Sequence, residues 1–116
     1  MDLNGSVSLI WREVYYNGGG STSPMINLNT TAGSLNIIGG DLLLAAGTGR
    51  HFINWATAVT PVTLRNVAIR QSTGNSTSAW RGAAGTLNYG ACSFEGAGTM
   101  LSDVGITKTA LGTTIT

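Results

Sequence analysis

The strongest constraint on the fold is a loosely repeated segment of about a dozen residues: Ser34 to Leu44, then Thr63 to Arg70, then Thr86 to Phe94. Each copy runs from a small polar residue and a Leu, through an Asn and a short turn-prone stretch, into a second apolar strand. Recurrence of this kind points to stacked β-structure, in which one supersecondary unit buries its apolar face only against its neighbours. With Leu as the marker, Leu9, Leu35, Leu64 and Leu87 recur at uneven intervals of roughly 20 to 30 residues. Such intervals suit one turn of a β-solenoid. The step from Leu87 to Leu101 is shorter, which predicts a truncated last coil or a departure of the chain from the stack.

Glycine punctuates the chain. Gly18-Gly19-Gly20, Gly39-Gly40, Gly47-Thr48-Gly49, Gly74-Asn75 and Gly96-Ala97-Gly98 leave room for strands and little for helices. The β-prone stretches between them are residues 7–16, 25–28, 35–38, 62–69, 86–89, 92–94 and 104–107. One short helix is expected from Asp41 to Ala46, with Asp41 as N-cap and Gly47 as the residue past its end. The organisation expected is an N-terminal strand or arm over 1–17, a Gly/Ser-rich linker over 18–24, a solenoid core over 25–101 and a C-terminal β arm over 102–116.

At 116 residues the chain has room for one domain, and a domain of this size gains from self-association. Only 9% of residues are charged, against about a quarter in typical globular chains, and the net charge is +1. Cations are too scattered to neutralise phosphates, so nucleic acid is not an expected partner. No apolar run spans a bilayer, so neither is a membrane. The first residues lack a basic segment followed by an apolar one, and a retained Met1 favours a protein made and used without export. Recurrent aliphatic residues argue for a folded chain.

Here the residues carry a resemblance. Leu64 to Ile69 and Leu87 to Gly96 resemble coils of right-handed parallel β-helices of the pectate-lyase and phage-tailspike kind. In that family an Asn often follows the first strand and stacks on its counterpart in the next coil; Asn36, Asn66 and Asn88 sit where such an Asn would. The resemblance covers residues 34–98. It departs from the family in the shortness of the chain and in lacking clusters of acids. The expected fold is therefore all-β, a short right-handed parallel β-helix with extended terminal arms, with a jelly-roll or β-sandwich as the alternative.

Candidates for catalysis are weak. Glycan hydrolysis needs two carboxyls at a set separation, yet Asp2, Glu13, Asp41, Glu95 and Asp103 are dispersed, no two of them neighbours in sequence, and only a coil of winding could bring Glu95 and Asp103 together. His51 is the single histidine, with no nucleophile-elbow serine, and is expected in a turn or at an interface. Cys92, the single cysteine, reads as a small buried hydrophobe. Gly47-Thr48-Gly49 lacks the residues of a phosphate loop, and the Asn-x-Ser/Thr triplets at Asn4, Asn29 and Asn75 are expected by chance in so Ser/Thr-rich a chain. No cofactor or metal is expected, and no enzymatic activity.

The aromatic residues Trp11, Trp55, Trp80, Tyr15, Tyr16 and Tyr89 suit either a sugar-stacking face or subunit contacts, and the pairs Trp11-Arg12 and Trp80-Arg81 favour contacts. Small, weakly charged, Gly/Thr/Ala-rich β-domains resemble phage capsid decoration, or cement, proteins. That resemblance implies a homotrimer on the virion surface, assembled in the host cytoplasm, which stabilises the shell through the major capsid protein. Interface residues expected on this reading are Trp11, Arg12, Trp80, Arg81, Ile106 and Ile115. The alternative is a tail-fibre, tailspike or adhesin module that binds a carbohydrate receptor. An ice-binding solenoid would need ranks of Thr-x-Thr, and Thr107-Lys108-Thr109 and Thr114-Ile115-Thr116 are isolated.

Overall fold

Strand follows strand with no helix among the described residues, which in this computed structural model are 1–17, 25–44, 51–56, 60–71, 80–82, 84–96 and 106–112. The elements are β1 (Asp2–Asn17), β2 (Ile26–Leu44), β3 (Ile53–Trp55), β4 (Pro61–Gln71), β5 (Trp80–Gly82), β6 (Gly85–Gly90), β7 (Ser93–Gly96) and β8 (Ile106–Ala110). They form one parallel sheet, in the order β5-β3-β2-β4-β6-β8, with β1 on β2 and β7 on β4. The sheet curls into a half-barrel.

Register shows the repeat with a regularity that the marker leucines hide. Leu9 pairs with Leu35, Leu35 with Val62 and Val62 with Leu87. Val62, and not Leu64, is thus the counterpart of Leu35, and the steps become nearly equal, each about one solenoid turn in length. Leu64 belongs to the neighbouring row Trp11, Ile37, Leu64, Tyr89. Residues two apart on a strand share a face, so either row satisfies the same apolar pattern and sequence alone does not choose between them. The last step, from Leu87 to Lys108, is a shortened repeat; Leu101 lies outside the described residues.

Inside each long strand the alternation changes phase at one residue. Glu13, Gly39, Asn66 and Ala91 all have positive φ, between 51° and 77°. Glu13 and Gly39 face each other between the pairs Arg12–Ile38 and Val14–Gly40, and Asn66 occupies the same place in β4. This bend lets buried residues fall on both sides of it: Leu35 and Ile37 before, Leu42 and Leu44 after; Val62 and Leu64 before, Val67 and Ile69 after. These side chains, with Ile26, Leu28, Phe52, Ile53, Trp55 and Leu87, make one apolar core.

Two expectations are corrected. Asp41 to Leu44 is strand, not helix. Its backbone pairs on one side with Tyr15, Tyr16 and Asn17 and on the other with residues 68–71, and so short a helix has no comparable source of stability. The asparagine stack expected of Asn36, Asn66 and Asn88 does not form: Asn36 and Asn88 both face Thr63, and Asn66 sits at the bend. Asparagine contacts between repeats occur elsewhere, Asn29 Nδ2 donating to Asn4 Oδ1 at 3.1 Å and Asn54 Nδ2 to Asn27 Oδ1 at 2.6 Å. Of the segment expected as an N-terminal strand or arm, Asp2 to Asn17 is a strand paired with β2, and of the segment expected as a C-terminal β arm, Ile106 to Ala110 is a strand paired with β6. Ile115 lies outside the described residues.

Candidate functional site

The C-terminal ends of β1, β2 and β4 lie side by side, and their outward-facing residues form two rows, Tyr15–Asp41–Ala68 and Asn17–Leu43–Arg70. Period-2 alternation puts these side chains outside because Tyr16, Leu42 and Ile69 between them face the core. The result is a shallow groove of about 260 Å³ lined by Tyr15, Tyr16, Asn17, Asp41, Leu43 and Arg70.

One wall of the groove is aromatic. Tyr15 is 77% exposed, a large ring held out in solvent. Tyr16 is half-buried and meets Phe52 edge-on, with ring centres 6.2 Å apart, which anchors the strand end below it. The other wall is polar: Arg70 Nε donates to Asp41 Oδ1 at 3.0 Å and its terminal nitrogen to Oδ2 at 2.5 Å. This paired geometry, with a smaller contribution from Glu95 in the adjacent strand, holds the guanidinium above its ordinary pKa. The fork holds the Asp41 carboxylate in a fixed position, where its remaining lone pairs can accept further hydrogen bonds.

Other residues singled out in the sequence have structural places. Cys92 is buried, its Sγ 3.4 Å from the Gly90 carbonyl oxygen, and burial pushes the thiol pKa up. His51 is buried, and its carbonyl accepts the Met25 amide. Trp55 is buried and donates its indole N–H to the Thr60 carbonyl at 2.9 Å. Among the described residues no group of three His, Cys, Asp or Glu is placed to hold a metal. Glu95 is exposed on β7, and Asp103 lies outside the described residues.

The expected contact residues divide. Trp11 is half-buried and packs on the core, and Arg12 beside it is exposed. Trp80 and Arg81 are in β5, in register with Ile53 and Asn54. Ile106 is 6% exposed and belongs to the core. Trp11 and Arg12 thus stay together at the surface strand β1, whereas Ile106 faces inward. Sequence reasoning noted Tyr15 but not its groove, because Asp41 and Arg70 are far apart in the chain and only the register joins them. A search of known proteins found no matching family model, curated protein or solved structure.

Proposed function

We propose that the chain is a non-enzymatic structural module of a virus particle, built as a short right-handed parallel β-solenoid in which successive coils close over one core. The observation that carries this reading is the register: the chain pairs with itself in parallel at a nearly constant step through β1, β2, β4 and β6, with the bend in the same place each time. Parallel self-pairing at a constant step is what winding produces, and a jelly-roll or sandwich, being antiparallel, does not give it.

Of the two placements on a virion, an appendage such as a tail fibre, tailspike or adhesin suits this architecture better than capsid decoration. Coils stack along one axis and present flat sides, whereas a cement protein gains its grip from arms, and residues 2–17 and 106–110, within the two candidate arms, pair in the sheet. The groove at Tyr15 favours the same placement: an exposed ring offers a face for a pyranose, and the Asp41–Arg70 fork offers hydrogen bonds to its hydroxyls. Asp41 offsets the charge of Arg70, and Glu95 lies nearby, so a neutral sugar fits better than an acidic one.

Quantitative mass spectrometry of purified particles, referenced to the most abundant coat protein, tests the placement. A few copies per particle support an appendage, and a ratio near one to one or one to a small integer supports decoration of the shell by contact with the coat protein. Absence from particles refutes both.

A further inference from the structure

Among the described residues, the β1 edge of the sheet is left uncovered. Leu3, Leu9, Trp11 and Tyr16 are only half-buried, although their partners Leu28, Leu35, Ile37 and Leu42 in β2 are at most 1% exposed. Among the described residues only β2 pairs with β1, so the far edge of a 16-residue strand presents main-chain groups that no described strand pairs. Edges of this length are ordinarily protected by proline, by inward charges or by a cover. Inward charge is what the opposite end has: Lys108 ends the row Leu9, Leu35, Val62, Leu87 and donates to the Ile106 carbonyl at 3.1 Å. At β1 the same row ends in Leu9.

The segment from Leu9 to Tyr16 is also a chemical palindrome. Reading outward from the Arg12–Glu13 bond, Arg12 matches Glu13, Trp11 matches Val14, Ile10 matches Tyr15 and Leu9 matches Tyr16. Burial follows the same symmetry. Leu9, Trp11, Val14 and Tyr16 face inward, Arg12 and Glu13 are exposed, and Ile10 and Tyr15, 61% and 77% exposed, face outward. The bend at Glu13 lies beside the centre, so a strand turned about that point presents its bend to a bend.

We propose that β1 is the docking edge for a second copy of this chain, the two β1 strands pairing antiparallel about a two-fold axis that passes between Arg12 and Glu13. In this register each Arg12 meets Glu13 of the partner subunit, each Ile10 lies against the partner's Tyr15, and Leu9 and Trp11 close over the partner's Tyr16 and Val14. Antiparallel pairing supplies the missing main-chain hydrogen bonds, and opposite charges and apolar pairs fall directly across from each other. The Glu13 carboxylate, which rests over Gly39, has a flexible stem with which to reach across. Head-to-tail stacking is disfavoured because it sets the Lys108 ammonium on Leu9. About ten residues per subunit pair in this way, fewer than the roughly 20 to 30 of a standard interface, so the contact is a small one.

Sedimentation equilibrium of the full chain, up to about 0.5 mM, gives a monomer–dimer equilibrium if the proposal is right. Arg12→Glu sets two carboxylates against each other at both ends of the two-fold and weakens the dimer roughly a hundredfold; Glu13→Arg does the same, and the double exchange restores it. Circular dichroism at each step separates dissociation from unfolding. As a second route, Ile10→Cys/Tyr15→Cys forms a covalent dimer on mild oxidation and neither single variant does. A monomer at the highest concentration, a trimer, or a dimer indifferent to both single charge reversals overturns the proposal. These outcomes are independent of particle copy number, so failure here leaves the functional placement standing.

Discussion

Substitution of Gly40 by alanine tests whether the close parallel stacking of β1 on β2 governs stability. Gly40 has φ +115°, and a Cβ built there lies 1.9 Å from the Val14 carbonyl oxygen and 2.6 Å from its nitrogen. Restoring an ordinary contact of about 3.4 Å requires β1 to move by about 1.5 Å, which breaks hydrogen bonds of normal length. Loss of two ladder bonds costs about 2 kcal/mol, and the unfavourable φ adds about 1 to 2 kcal/mol. Gly40→Ala is therefore expected to destabilise by about 3 to 4 kcal/mol. Gly5→Ala is the matched control: φ is +74°, but nothing lies within 4 Å of its Cβ. Only the conformational cost applies, about 1 kcal/mol. Urea unfolding monitored by circular dichroism measures both, with the slope checked for constancy between variants. Equal destabilisation by the two substitutions would refute the stacking account, since it would leave backbone conformation as the sole cause.

Other outcomes follow from burial and exposure. Ile37→Ala, at a position fully buried between Trp11 and Leu64, should lower the unfolding free energy by about 2 to 5 kcal/mol, whereas Ile10→Ala, at 61% exposure, should change monomer stability by less than about 0.5 kcal/mol. Burial raises the folded-state pKa of Cys92 above its unfolded value. The native state therefore holds the thiol proton after the unfolded chain has released it. This contribution is fully present below the ordinary thiol pKa of about 8.5 and is lost as pH rises beyond it. Urea titrations between neutral pH and pH 10 should show a steeper fall in stability for the natural chain than for Cys92→Ala; parallel curves would contradict it. Tyr15→Ala should abolish binding to an array of neutral oligosaccharides while leaving the urea midpoint of the monomer unchanged, and retained binding would remove the groove from the glycan reading.

Much of the strand content is legible in the chain because it is local. Glycine punctuation and the alternation in residues 62–69 place β4 and its turns without knowledge of any partner. What the groove requires is less local. Tyr15, Asp41 and Arg70 carry no motif, and nothing in their neighbourhoods distinguishes them from solvated surface residues until three strands align. The short segment from Asp41 to Leu44 shows the same limit. Its acid, its leucines and the glycine beyond suit a helix end, and only pairing with Tyr15 to Asn17 and with residues 68–71 makes it strand.

By itself, then, the sequence determined the all-β character, the approximate repeat and a core of alternating aliphatic residues, all consequences of side-chain chemistry over a few positions. Tertiary structure decided that Val62 rather than Leu64 faces Leu35, that Asn66 turns a bend instead of joining a stack, and that Asp41 meets Arg70. Rows two residues apart are nearly equivalent in local energy, and the difference between them accumulates only when a whole strand pairs with its counterpart one full repeat away.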